Sequence, residues 1–286
     1  MSGPNHPSST TEQTAYNVPR SPQVPLPSPE IAASSAAARI FAGTSGWAYP
    51  TWKPAFYPAS TPAKKFLEFY SSQLSSVEVN YTFRALPTAK MLEDWLAATQ
   101  PFFRFSFKAP QRITHIKRLA NCEDDVSYLV SILEPVRQAG KLGLILFQLP
   151  PNLKADAARL TTFLKAPALR AAGAPAIAFE FRHASWFTEE IYTILRAHNA
   201  ALCIAESDDL ATPEVHTAAT HTNFRLRRTG AYAPEEIAAF VQHFLTLSAD
   251  RDVYVYFKHE DEPSGALNAV SFLHAVASQT QKAGPR

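Results

Sequence analysis

From Arg39 onward, short β-rich runs alternate with stretches of helical period, and this alternation restricts the fold more than any other feature of the chain. The β-rich runs fall at residues 40–45 (IFAGTS), 76–81 (SVEVNY), 104–108 (RFSFK), 142–149 (LGLILFQL), 176–181 (AIAFEF), 201–206 (ALCIAE), 223–227 (NFRLR) and 253–258 (VYVYFK). Between them, residues 64–74 place Phe66, Leu67, Tyr70 and Leu74 on one helical face. Residues 124–137 do so with Tyr128, Leu129, Ile132, Leu133 and Val136, and residues 235–247 with Ile237, Phe240, Val241, Phe244 and Leu247. Pro234 ahead of Glu235 and Glu236 marks a helix start. Eight uninterrupted β/α alternations predict an α/β fold, a single (β/α)8 TIM-barrel-like domain. A doubly wound open sheet is the runner-up. It usually has fewer strands, and its first βα turn often carries a glycine fingerprint. Neither GxGxxG nor GxxxxGK[ST] occurs among the nine glycines here.

Proline divides the chain. Pro4, Pro7, Pro19, Pro22, Pro25, Pro27 and Pro29 crowd a stretch otherwise made of Ser, Thr, Asn and Gln. Such a stretch cannot bury enough apolar surface to offset its ordering entropy. Residues 1–38 are therefore expected to be a disordered tail, residues 39–280 the barrel, and residues 281–286 a short C-terminal tail. Later prolines (Pro50, Pro87, Pro110, Pro150 and Pro151) sit where strands should end, since proline cannot continue a central strand. No continuous apolar segment follows a basic start, and no run approaches the roughly 20 apolar residues of a membrane span. Cys122 and Cys203 are too few for a disulfide framework, and both read as packing residues. The expectation is a soluble cytoplasmic protein without a membrane partner; the oligomeric state is not legible.

Strand alternation gives the candidate site. Residues two apart share a face, and the apolar set should meet the helices. Phe105, Phe107, Ile177, Phe179, Phe181, Phe224, Leu226, Val253, Val255 and Phe257 are then outward. That leaves Glu78, Asn80, Ser106, Lys108, Glu180, Arg182, Arg225, Arg227, Tyr254, Tyr256 and Lys258 inward. Gln148 and Glu206 end their strands. These polar residues come late in most strands, toward the C-terminal face where barrel enzymes build active sites. Five cations stand against three carboxylates in this set. Pairs such as Glu180 with Arg225 are expected, because buried unpaired charge is very costly. The remaining positive charge suits an anionic ligand.

The local strings GTSGWAYPTWKPAFYP (residues 43–58), VEVNYTFRALP (77–87), FSFKAPQRITH (105–115), LFQLPP (146–151), FEFRHASW (179–186) and VYVYFKH (253–259) follow one another in order. Together they closely resemble the YecE-like family, also known as domain of unknown function 72, over about residues 40–275. The resemblance implies a TIM-barrel-like fold and no established activity. The family has been likened to barrel phosphodiesterases acting on DNA and to sugar isomerases by fold analogy alone. Its pattern matches Thr44, Ser45, Gly46, Trp47, Glu78, Asn80, Lys108, Thr114, His115, Gln148, Pro150, Glu180, Arg182, His183, Ser185 and Trp186. It departs at Arg225-Leu226-Arg227-Arg228 and at Lys258-His259-Glu260-Asp261, where both changes add positive charge.

Three chemistries fit. In the first, Glu78 and Glu180 form an acid/base pair, with His115 and His183 assisting from mouth loops. Lys108, Arg182, Arg225, Arg227 and Lys258 then hold a small anionic, phosphorylated or sugar-like ligand. Asn80, Gln148, Trp47, Trp186 and Tyr256 add ligand contacts. The second is a metal-dependent phosphodiesterase or nuclease. Glu78, Glu180, His183, Glu206, Asp208, His259 and Asp261 could supply ligands, but there is no HxH or HExxH pair and the crowded cations oppose a divalent ion. No metal or other cofactor is expected. The third is a non-catalytic binding module in which Trp47, Tyr49, Trp52, Phe56, Tyr57 and Trp186 stack on a sugar or a base. For half of these aromatics, packing over the barrel top is the better reading. Stacking with Arg and Lys also suits single-stranded nucleic acid, though a net charge of +2 does not support that partner.

Overall fold

The computed structural model describes residues 39–206, 210–228, 232–257 and 262–283. The expected tail at residues 1–38, the end of the chain at 284–286, and Lys258, His259 and Asp261 with Asp208 lie outside the described residues. Eight parallel strands are present: β1 Ile40–Thr44, β2 Ser76–Val79, β3 Arg104–Lys108, β4 Leu142–Gln148, β5 Ala176–Glu180, β6 Ala201–Glu206, β7 His221–Leu226 and β8 Asp252–Phe257. Their order is β1-β8-β7-β6-β5-β4-β3-β2, the sequential winding of a (β/α)8 barrel. The helices are α1 Phe66–Gln73, α2 Ala89–Ala98, α3 Glu123–Ile132, α4 Glu134–Gln138, α5 Ala157–Leu164, α6 Glu189–Ala197, α7 Pro234–Leu247 and α8 Ser264–Ala283. The final helix runs past residue 280, into what was read as tail. No described helix is long and apolar enough to cross a membrane.

Local chemistry accounts for most boundaries. Thr88, Asp156 and Thr188 accept backbone N–H bonds at the starts of α2, α5 and α6. Pro234 opens α7, and Glu236 reaches back to the Ala233 N–H at 2.8 Å. Pro110 and Pro150 follow β3 and β4 within two residues. On α3 the helical phase differs from expectation: Tyr128 is 59% exposed, and Val126 is buried with Leu129. The expected sixth β/α unit is incomplete. Among the described residues, the segment between β6 and β7 forms no helix. It runs back along β6 instead, with the Thr212 N–H on Ala205 O and Thr217 Oγ1 bridging Ala200 O and the Leu202 N–H. Pro213 and five β-branched residues between Thr212 and Thr222 explain this.

The strand alternation sorts two cores. Phe105, Phe107, Phe147, Phe179, Phe224 and Phe257 pack outward against the helices. Phe41, Leu144, Leu146, Ala178, Cys203, Tyr254 and Tyr256 fill the barrel. Each buried phenylalanine contributes about 1.5–3 kcal/mol.

Closure of the barrel between β1 and β2 depends on side chains. The Tyr70 hydroxyl of α1 accepts the Thr44 N–H at 2.8 Å and donates to Ser76 O at 3.1 Å. Ser75 Oγ accepts the Ala42 N–H at 3.0 Å. Tyr70→Phe leaves one buried donor and one buried acceptor unsatisfied. It should cost about 1–3 kcal/mol in urea unfolding with little change in the m-value.

Candidate active site at the barrel mouth

One guanidinium ties the polar layer together. Arg225, inward on β7 and fully buried, ion-pairs with Glu180 of β5 and with Glu78 Oε1 of β2, the latter at 2.7 Å. Ser45, just past β1, donates to the same Glu78 oxygen at 2.9 Å. Gln148 stands beside Glu180 in strand register and donates to both its oxygens at 2.9 Å. Burial pushes the Glu180 carboxyl up, but Arg225 and Arg227, with hydrogen bonds from Gln148 and Arg225, outweigh it and hold it below the ordinary value. Glu180 is therefore ionised. The raised carboxyl pKa that a proton donor needs is not found there. Glu78 Oε2, on β2, and Asn80 Oδ1, just past its end, are both buried without a protein hydrogen-bond partner.

A second, cationic layer lies over the first. Lys108, half-buried at the end of β3, stands 4.3 Å above the Phe83 ring. Thr82 Oγ1 bonds Lys108 O at 2.6 Å and so pins the short turn carrying Phe83 to the strand end. Burial, then Arg225 and Arg227, push the Lys108 ammonium down to about 8, against opposing pulls from Glu78 and Glu180. Arg225, then burial, holds Arg227 below the usual arginine range. Among the described residues, Lys108 and Arg227 form no salt bridge. A π-helical turn at Arg112–Ile116 presents His115, whose Nδ1 pairs with Thr114 Oγ1 at 2.9 Å. Burial, Lys108, Arg182 and Arg118 keep its imidazole below the ordinary pKa, hence neutral at pH 7. His183 accepts the Ser185 N–H through Nδ1 at 3.1 Å, so its neutral form carries the proton on Nε2.

Four residues sit differently from the sequence reading. Arg182 lies beyond the end of β5 and is exposed, because alternation stops where the strand stops. It still lies close enough to act electrostatically on His115 and Arg227. Glu206 shares the outward phase of Leu202 and Ile204 and accepts the Tyr232 hydroxyl at 2.5 Å. Trp186 is fully buried, stacked 4.5 Å from Phe181, with its indole N–H on Leu153 O. It packs the fifth loop and has no face left for a ligand. Tyr256 bonds Ser106 and Ser76 inside the barrel, at 2.6 and 2.8 Å, and belongs to the packed floor.

Arg225 likewise serves as the internal counterion of two carboxylates. Trp52, Phe56 and Tyr57 are buried among themselves. Trp47 and Tyr49 remain half-exposed, Trp47 edge-on to Trp95 at 5.2 Å. Ser45, Phe83 and Arg118 act at the site without having been named for it. Ser45 alone carried a signal, as the hydroxyl closing β1 in the GTSGW string. Among the described residues, the cluster of His, Cys, Asp and Glu able to hold a metal is Glu214, His216 and His243, none of them a mouth residue.

The chain matches the family described as "Protein of unknown function DUF72" over residues 41–286. It is 30% identical over 159 residues to the UPF0759 protein YunF of Bacillus subtilis, covering 54% of each chain. It is 32% identical over 111 residues to the UPF0759 protein YecE of Escherichia coli K12, covering 39% of this chain and 38% of that one. The chain thus spans about half the length, or less, of these relatives. A solved DUF72 structure from Thermotoga maritima superposes with a TM-score of 0.72 at 24% identity, covering 83% of this chain and 99% of that one.

Proposed function

The chain belongs to the DUF72 family, and from that premise we propose that its barrel mouth binds a small anion bearing hydroxyl groups, a phosphorylated or sugar-like molecule. The observation that carries the reading is Lys108: an inward, half-buried ammonium without a salt bridge among the described residues. Holding a cation there costs folding stability that an anion would restore. Arg227 and the exposed Arg182 extend the positive field. The unpartnered acceptors Glu78 Oε2 and Asn80 Oδ1 suit ligand hydroxyl donors. If the site is catalytic, Glu180 acts as a base or electrostatic partner rather than as a proton donor. The proton carriers are then His115 and His183. A divalent ion at this mouth would meet Lys108, Arg225 and Arg227, so the nuclease-like alternative is the weaker reading.

The test is Lys108→Met, followed by calorimetry with inorganic phosphate and glycerol 3-phosphate. The affinity should fall at least about tenfold, the loss of one charge-assisted contact. The melting temperature should rise by about 2–4 °C, because a poorly solvated charge is gone. Unchanged affinity would overturn the reading. A purely structural lysine would lower the melting temperature instead.

A further inference from the structure

Away from the mouth, the segment between β6 and β7 carries a second cluster. Glu214 and His216 lie two residues apart in this segment, which has no regular secondary structure. His243 comes from α7. The Glu214 carboxylate faces both rings: Oε1 is 2.6 Å from His243 Nε2 and 3.3 Å from His216 Nε2. One ligand atom from each residue falls within 4.8 Å of the others. His243 Nε2 is buried, yet its approach to Glu214 lacks hydrogen-bond geometry. His216 turns its other nitrogen, Nδ1, toward Thr222 Oγ1 at 3.2 Å. That leaves Nε2 directed at the cluster, the arrangement in which an outer hydroxyl orients a metal-ligating imidazole. The Phe224 ring floors both imidazoles, with centroids 6.1 and 5.9 Å away.

We infer that Glu214, His216 and His243 form a binding site for one borderline divalent transition ion of the Zn²⁺ type, tying the β6–β7 segment to α7. Two imidazoles and one carboxylate select such an ion over Mg²⁺ or Ca²⁺, which prefer all-oxygen shells. Water completes the tetrahedron on the exposed Glu214 side. The role is mechanical. Thr222, the second residue of β7, places the cluster toward the N-terminal end of the strands, opposite the mouth. There, among the described residues, the segment forms no helix such as packs every other crossover.

The experiment uses the full chain, without a histidine tag, stripped of metal by a chelator. Zn²⁺ titration should show one equivalent bound at micromolar affinity or tighter, and Co²⁺ should give the intense visible bands of a tetrahedral site. The melting temperature should rise on Zn²⁺ addition. His216→Ala and His243→Ala should each weaken binding at least about 100-fold, while Thr222→Val, acting through His216, should weaken it about 10–100-fold. These side chains are partly exposed except for Thr222, so the metal-free histidine variants should melt with the metal-free parent. The absence of saturable Zn²⁺ binding, or binding that survives unchanged in the double histidine variant, overturns the inference.

Discussion

Arg225→Met should destabilise the barrel by about 3–5 kcal/mol at neutral pH, because removing one partner of a buried ionic set strands the rest. Here two carboxylates are stranded at once: Glu78 and Glu180 both ion-pair with this one guanidinium. The pH dependence distinguishes this from simple loss of packing. In the parent, Glu180 is held below its ordinary value. It therefore contributes stability that is present above about pH 4.3 and is lost as pH falls through the folded value. In the variant the Arg225 charge is gone and burial raises the Glu180 carboxyl. The folded state then binds protons before the unfolded state does, and acid relieves the strain. The gap between parent and variant should shrink as pH falls from 7 toward 4 in urea unfolding. Adding Glu78→Gln and Glu180→Gln should recover part of the loss. A penalty below about 1 kcal/mol, or one that is the same at both pH values, would contradict the assigned role of Arg225.

Gly43→Ala should cost about 3 kcal/mol or more, or abolish folding. Gly43 sits on β1 where the barrel closes on β2. A Cβ there would lie 1.8 Å from Ser76 O and 2.7 Å from the Tyr70 hydroxyl. The first is backbone and cannot swing aside, so β1 and β2 must separate. Separation also breaks the Tyr70 bridge between Thr44 and Ser76. The control is Gly140→Ala, at φ +66° with nothing within 4 Å of the new Cβ. Only backbone strain acts there, about 1 kcal/mol. Similar losses at the two positions would mean that closure tolerates wider strand spacing than the geometry implies.

Period-two alternation with a clearly apolar partner set was sufficient to read the strands. Phe105 with Phe107, and Phe224 with Leu226, fixed the phase of β3 and β7 and so pointed Lys108 and Arg225 inward. The pattern fails past a strand end, which is why Arg182 is at the rim. It also fails where a strand end is read without its phase, which is why Glu206 faces Tyr232 instead of the barrel. Tyr256 and Trp186 show a different limit. An aromatic near a mouth serves equally as floor or as platform, and only the partners of its polar atom decide. The β1–β2 seam could not be read at all, since it depends on a hydroxyl from α1 and on the missing side chain of Gly43. Pro213 and the threonines around it disfavour a helix after β6, and none forms there among the described residues.

We propose that the Lys108 ammonium holds an anion at the mouth. Sulfate tests it most directly, because its charge does not change from pH 7 to 10. Burial and the neighbouring arginines place Lys108 at about 8 in the free protein. Among the described neighbours, His115 is shifted lower, and Cys203 and Tyr256 are shifted well above their ordinary values. Bound sulfate favours the ammonium, so binding above pH 8 must take up a proton. Calorimetry should therefore show sulfate affinity level below that point, then falling by about tenfold per pH unit above it, with Lys108→Met weak throughout. Affinity that stays constant from pH 7 to 10, or no sulfate binding at pH 7, would contradict the account.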